Sequence, residues 1–167
     1  MLEVSSIMKI VASQAHHLHA PSWELSVGKF LPAFEKPERV EIVLKSLAAS
    51  QQGQVIAPSS FGEDTALAVH DPDYLAFLKI AHAEFQELGL EGDPTACVWP
   101  RGRMRADSSD SIVAKFGRYC FDGVAITKTT YEAVLASRDI ALTATQLVKQ
   151  GDRAAFALCR PPGHHAG

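Results

Sequence analysis

A six-residue apolar run, Ala154-Ala155-Phe156-Ala157-Leu158-Cys159, stops at Arg160-Pro161-Pro162-Gly163. An unbroken run of this kind, without polar alternation, suits a strand buried on both faces of a parallel sheet, and the two prolines bar its continuation. Burying both faces requires helices above and below, so the expected class is α/β, a parallel sheet flanked by helices. The upstream order agrees: strand, helix, strand, helix, helix, strand. Lys9 to Ala12 reads as the first strand. Pro37 sets φ for the first turn of a helix from Glu35 to about Ala49, with Val40, Val43, Leu44 and Leu47 on its apolar stripe. Val55 to Ala57 is a short strand. Asp71-Pro72 supplies an N-cap and a first-turn proline for a helix to about Leu88, stopped by Gly89, with Tyr74, Leu75, Leu78, Ala81 and Phe85 inward. Thr129 or Thr130 starts a helix from Tyr131 to about Lys149 with Val134, Leu135, Ala141, Leu142 and Val148 inward, closed by Gln150-Gly151.

Two stretches resist this reading. His16 to Phe34 is irregular, interrupted by Pro21, Gly28 and Pro32. Asp93 to Thr130 holds Pro94, Pro100, Gly102, Gly117 and Gly123, shows no clean period, and is roughly three times the usual connection length. Loops of that length are functional or disordered more often than not. There is no internal repeat and no low-complexity tract.

Composition narrows the partners. The 167 residues fit one domain, and a mean hydropathy of +0.01 is that of an ordinary globular chain. No apolar run approaches a membrane span. Sixteen Lys and Arg against nineteen Asp and Glu leave a net charge of −3, so neither nucleic acid nor an anionic membrane is the expected partner. Cys97, Cys120 and Cys159 are odd in number and free of any CxxC spacing, which argues against a disulfide framework and a cysteine zinc site and for a reducing compartment. The N-terminus, with Glu3 and no long apolar stretch, does not resemble a secretory signal; Met8 is a second possible start, and the cytoplasm is the expected location.

The chemistry is concentrated at the end. His164 and His165 stand on irregular backbone just past the carboxyl end of a strand, where α/β sheets place ligands. Adjacent imidazoles can divide their roles, one a neutral general base and the other a source of positive charge. The bland reading is an exposed polar loop that happens to hold two histidines. His16, His17 and His19 form an HHxH cluster that could take a metal, although loop imidazoles without a fourth ligand more often face solvent; the alternative for His16 is a place near the site rim. His70 and His82 read as packed or surface residues. Arg101, Arg103 and Arg105 read as a solvated or subunit-contacting loop, and Asp107, Asp110 and Asp122 as carboxylates that would favour a cationic ligand. Tyr74, Phe77 and Phe85 are core packing.

The string FALCRPPGHHAG resembles the signature of the zinc-dependent deacetylase superfamily, and most its acetylpolyamine amidohydrolase branch. KIVASQAHHLH, LPAFEKPERVEIVLKSL, ALAVHDPDYLAFL and GRYCFDGVAITKTTYEA resemble successive pieces of that family's N-terminal half. The resemblance implies an arginase/deacetylase-like sheet, with residues 1–167 an incomplete domain truncated after the strand carrying RPPGHHAG. It implies that His165 is general base and acid, that His164 is its electrostatic partner, and that Arg39 lies near an internal channel behind the metal. It also implies that the segment at about 93–130 is an insertion that narrows the entrance and helps build a homodimer. The family binds zinc through two Asp and one His and stabilises the oxyanion with a Tyr, all beyond Gly167. Zinc therefore belongs to the complete domain and is not bindable at the family site by this chain alone. Zinc brings a bound water from a pKa of about 15.7 to about 7, whereas acid–base groups alone give about 10²- to 10⁴-fold. The isolated chain is thus expected to be inactive and, with an uncovered sheet, prone to aggregate. The expected function of the complete domain is hydrolysis of acetylpolyamines or similar small acetylated amines. Alternatives are a protein acetyl-lysine deacetylase and a non-catalytic half-domain.

Overall fold

The computed structural model describes residues 7–99, 109–121 and 123–163. Strand β1 (Lys9–Val11) falls where expected and buries Ile10 and Val11. A 3₁₀ turn, Gln14–Leu18, follows, begun by Ser13, whose hydroxyl accepts from the Ala15 amide at 3.1 Å.

The stretch expected to be irregular instead forms an antiparallel hairpin of β2 (Trp23–Ser26) and β3 (Lys29–Pro32), with Leu25 opposite Phe30. Val27 and Gly28 join the strands, both at positive φ, 50° and 74°. Such a two-residue turn matches the twist of paired strands. Its usual marker is Asn or Asp before Gly; a β-branched valine at positive φ is uncommon, which is why the sequence conceals the turn.

Helix α1 (Glu38–Ser50) starts three residues later than expected, because Pro37 is the residue just before the first turn and its carbonyl accepts from the Val40 amide at 3.0 Å. Glu35 is thereby left outside the helix. The chain leaves α1 through left-handed Gln51, and β4 (Gln54–Ile56) follows. After the one-turn helix α2 (Asp64–Leu67) comes α3 (Pro72–Glu87), where the Asp71 carboxylate accepts from the Asp73 amide at 2.7 Å as an N-cap should. Leu75, Leu78 and Ala81 are buried, as is Phe77.

A helix, α4 (Ile112–Tyr119), lies inside the segment that shows no clean period. Ile112 and Phe116 recur at four and pack with Phe77, Ala81 and Ile126 into a core between α3 and α4. The described part of this segment is tied to the body: Trp99 Nε1 donates to the Cys120 carbonyl at 2.7 Å, and the Ile126 amide to that of Pro94 at 2.8 Å.

Helix α5 (Thr130–Lys149) has the expected span, but its inward face is displaced. Ala133, Ile140, Thr143 and Ala144 are buried; Val134, Leu135 and Leu142 are half-buried; Ala141 and Val148 are exposed. Thr143 belongs on that face because its hydroxyl accepts from the Ser59 amide at 2.9 Å, a pairing that an apolar count overlooks. Strand β5 (Ala155–Ala157) completes a parallel sheet of order β4-β1-β5. Ala155 and Ala157 pack on a second core, Val11, Ile140 and Ala144, against α5. β5 is not buried on both faces as expected: Phe156 points the other way and is 37% exposed, as is half of Val55 on β4. Among the described residues no helix is long and apolar enough to cross a membrane.

Candidate active site

The turn that follows β5 is held by Arg160, whose side chain is 3% exposed. Its Nε donates to Glu35 Oε1 at 2.6 Å, Nη2 to the Glu35 carbonyl at 3.2 Å, and Nη1 to the His19 carbonyl at 2.6 Å and to the His16 carbonyl. A buried guanidinium is tolerated only when its donors are satisfied and its charge is paired. Both conditions are met here. Burial nonetheless lowers the Arg160 guanidinium from its ordinary value, with the Glu35 carboxylate acting in the opposite sense. The Arg160–Pro161 peptide is cis.

Beside this turn lies a cavity of about 340 Å³, with His19, Glu35, Arg39, Tyr119, Pro162 and Gly163 on its walls. A second space of about 250 Å³ touches the same Pro161–Gly163 backbone from the side of α2 and α5. Arg39 reaches the first cavity from α1, its Nη1 donating to Glu35 Oε2 one turn away, with most of its side chain exposed. Glu35 therefore bridges a buried and an exposed guanidinium.

His19 is 2% exposed. Its Nδ1 meets Thr130 Oγ1 at 2.8 Å, and its Nε2 is buried without a partner among the described residues. Burial first, and the Arg160 charge second, lower its pKa to about 4, so at neutral pH the ring is uncharged.

The HHxH cluster does not converge as one group. His16 and His17 turn to Glu41, while His19 turns to Thr130. His16 is buried, not solvent-facing: its Nδ1 meets the Ser13 carbonyl at 2.7 Å, its Nε2 meets Glu41, and its own carbonyl accepts from Arg160. His82 faces Asp93 at 3.5 Å, and the His70 ring packs near Tyr74, in keeping with packing roles. His164, His165, Arg101, Arg103, Arg105, Asp107 and Asp122 lie outside the described residues; Asp110 is exposed just before α4. Sequence reasoning missed Glu35 and gave Arg160 no role. The signal for Glu35 was Pro37, which disfavours helix at the residue before it and so places Glu35 in the approach to α1.

Residues 33–167 match the histone deacetylase domain family. Acetylpolyamine amidohydrolase 1 of Pseudomonas aeruginosa is 43% identical over 163 residues, covering 96% of this chain and 47% of that protein. The acetylpolyamine amidohydrolase of Mycoplana ramosa is 37% identical over 161 residues, again 96% of this chain and 47% of its own length. Among solved structures, the acetylpolyamine aminohydrolase of Burkholderia pseudomallei superposes with a TM-score of 0.85 at 30% identity, covering 95% of this chain and 46% of that one. The chain spans about half the length of the curated relatives it matches.

Proposed function

Because this chain belongs to the histone deacetylase domain family, we propose that it supplies the acid–base half of the active site of an amidohydrolase that removes acetyl groups from polyamines or similar small amines. The observation that carries this reading is the 43% identity to an acetylpolyamine amidohydrolase across 96% of the chain. The family match runs to residue 167 and so includes the turn after β5.

His165 takes a proton from the attacking water and returns it to the departing amine, with His164 setting the charge beside it; such a positioned pair contributes about 10²- to 10⁴-fold. Arg160 fixes the start of the turn after β5, the segment that leads into these two histidines, through four donor contacts. Arg39, on the wall of the cavity beside that turn, is the residue assigned to the internal channel.

The family is zinc-dependent in general, and zinc would polarise the amide carbonyl and acidify the attacking water. Of the described carboxylate and imidazole groups around the cavity, Glu24 accepts from the Phe34 amide and Glu35 from two guanidinium groups, and His19, bonded to Thr130 through Nδ1, leaves a single imidazole nitrogen, Nε2, without a partner. They do not make a zinc site. The same reading assigns a cytoplasmic enzyme, and a homodimer contact to the segment 93–130.

The test is a polypeptide joining this chain to the C-terminal half of the Pseudomonas aeruginosa relative, assayed on acetylputrescine and an acetyl-lysine peptide side by side. Preferential release of acetate from acetylputrescine, reduced at least 100-fold in His165→Ala, is expected. Preference for the peptide would overturn the small-amine assignment, and turnover unaffected by His165→Ala would overturn the acid–base role.

A further inference from the structure

We propose that His16, His17 and Glu41 form a binding site for a divalent transition-metal ion of the zinc type, separate from the cavity and independent of the amidohydrolase reading. His16 Nε2 lies 3.0 Å, and His17 Nε2 3.2 Å, from the same oxygen, Glu41 Oε1. All three ligand atoms lie within 4.8 Å of one another. In a tetrahedral zinc site with bonds of about 2.0–2.1 Å the ligand atoms stand about 3.3 Å apart. The two edges that meet at Glu41 are close to that spacing, and the third, between the imidazoles, lies within 4.8 Å.

Hydrogen bonding fixes the ring that matters most. His16 Nδ1 is 2.7 Å from the Ser13 carbonyl oxygen, which can only accept, so Nδ1 carries the hydrogen and the neutral ring presents a lone pair at Nε2. That lone pair faces a carboxylate oxygen, another acceptor. Two acceptors at this distance need positive charge between them, either a proton on Nε2 or a metal ion. The second imidazole brings a third candidate ligand to the same oxygen. In its Nδ1–H tautomer His17 also offers a lone pair at Nε2, and a metal ion can join all three groups whereas one proton joins only two. An N–H donated to a backbone carbonyl is also how metal-ligating histidines are commonly oriented.

Two imidazoles and one carboxylate suit zinc, cobalt or nickel better than magnesium or calcium, which prefer all-oxygen shells. His16 anchors the site from below at 2% exposure, while the side chains of His17 and Glu41 are about half exposed, leaving the outer face of the ion to water. Occupancy would clamp the 3₁₀ turn onto α1. That turn offers the His16 and His19 carbonyls to Arg160, so the ion would brace the strap that holds the turn after β5.

The experiment is a Co²⁺ titration of the full chain, followed by visible d–d absorption and calorimetry. It is run in parallel on a His164→Ala/His165→Ala background, so that the terminal imidazoles cannot account for binding. One Co²⁺ per chain, displaced by Zn²⁺ and retained in that background, is the expected result. Binding at least tenfold weaker in His17→Ala and in Glu41→Gln is also expected, along with a Zn²⁺-induced rise in melting temperature that both variants lose. Both side chains are exposed enough for the variants to keep the fold, which circular dichroism verifies. Absence of binding by the unsubstituted chain, or an affinity in both variants unchanged from that of the unsubstituted chain, would overturn the site and leave His16 and His17 as hydrogen-bond partners of Glu41.

Discussion

The Glu35 carboxylate accepts from Arg160 Nε at 2.6 Å, linking the residue just ahead of α1 to the turn after β5 across 125 positions of sequence. This contact carries the main electrostatic commitment of the site, because Arg160 is nearly sealed from solvent and Glu35 is its charged partner. Removing the carboxylate strands a buried cation. Glu35→Ala is therefore expected to destabilise the chain by about 3–5 kcal/mol. Arg39→Ala, which removes a mostly exposed partner of the same carboxylate, should cost under about 1 kcal/mol. Urea unfolding of both variants checks the contrast, and equal losses would mean that the pairing with Arg160 is not what stabilises the turn.

The His19 imidazole is buried and held neutral, its pKa lowered to about 4 from the usual 6.5. Between those values the unfolded chain binds a proton that the folded chain excludes, so stability rises with pH through that window. It is fully present above about pH 6.5 and is lost as pH falls toward 4. The gap corresponds to about 3 kcal/mol. Urea midpoints measured from pH 7.5 to 4 should fall for the unsubstituted chain and flatten in His19→Gln, where the group that titrates is gone.

Local features of the fold were legible and distant ones were not. The Asp71-Pro72 cap could be read because both partners of the capping bond, Asp71 and the Asp73 amide, lie within three residues. The last strand could be read from its own apolar run, although its burial could not, since that depends on what packs on each face of the sheet. The role of Glu35 was hidden because its partner is 125 residues away. Helix α4 was hidden by its shortness and by Gly117 inside it, and the face of α5 by the inward hydroxyl of Thr143. The HHxH spacing suggested one cluster, but the 3₁₀ geometry of Gln14–Leu18 sends His16 and His17 to α1 and leaves His19 to meet α5.

Gly117 sits within α4, where an alanine would ordinarily gain about 1 kcal/mol in helix propensity. A Cβ at this position would lie 1.8 Å from the Val98 carbonyl oxygen, which is backbone and cannot swing aside. The clash outweighs the propensity gain, because relieving it requires separating α4 from the 94–99 segment. Gly117→Ala is expected to destabilise by about 1–3 kcal/mol net, read as a fall of several degrees in melting temperature. An unchanged or higher melting temperature would show that α4 does not approach Val98 this closely.

Val27 presents the opposite case, a residue whose removal should help. It is 98% exposed, so its side chain contributes no packing, yet it holds φ at 50° in the turn of the β2–β3 hairpin. Left-handed backbone costs an ordinary residue roughly 1–2 kcal/mol, which asparagine partly escapes through local hydrogen bonding. Asn-Gly is also the favoured pair for a two-residue turn with both φ values positive. Val27→Asn is expected to stabilise the chain by about 1 kcal/mol, seen as a higher urea midpoint with an unchanged slope. A lower midpoint would mean that residues 27 and 28 do not form this turn, and that the pairing of Leu25 with Phe30 is set by something other than the loop between them.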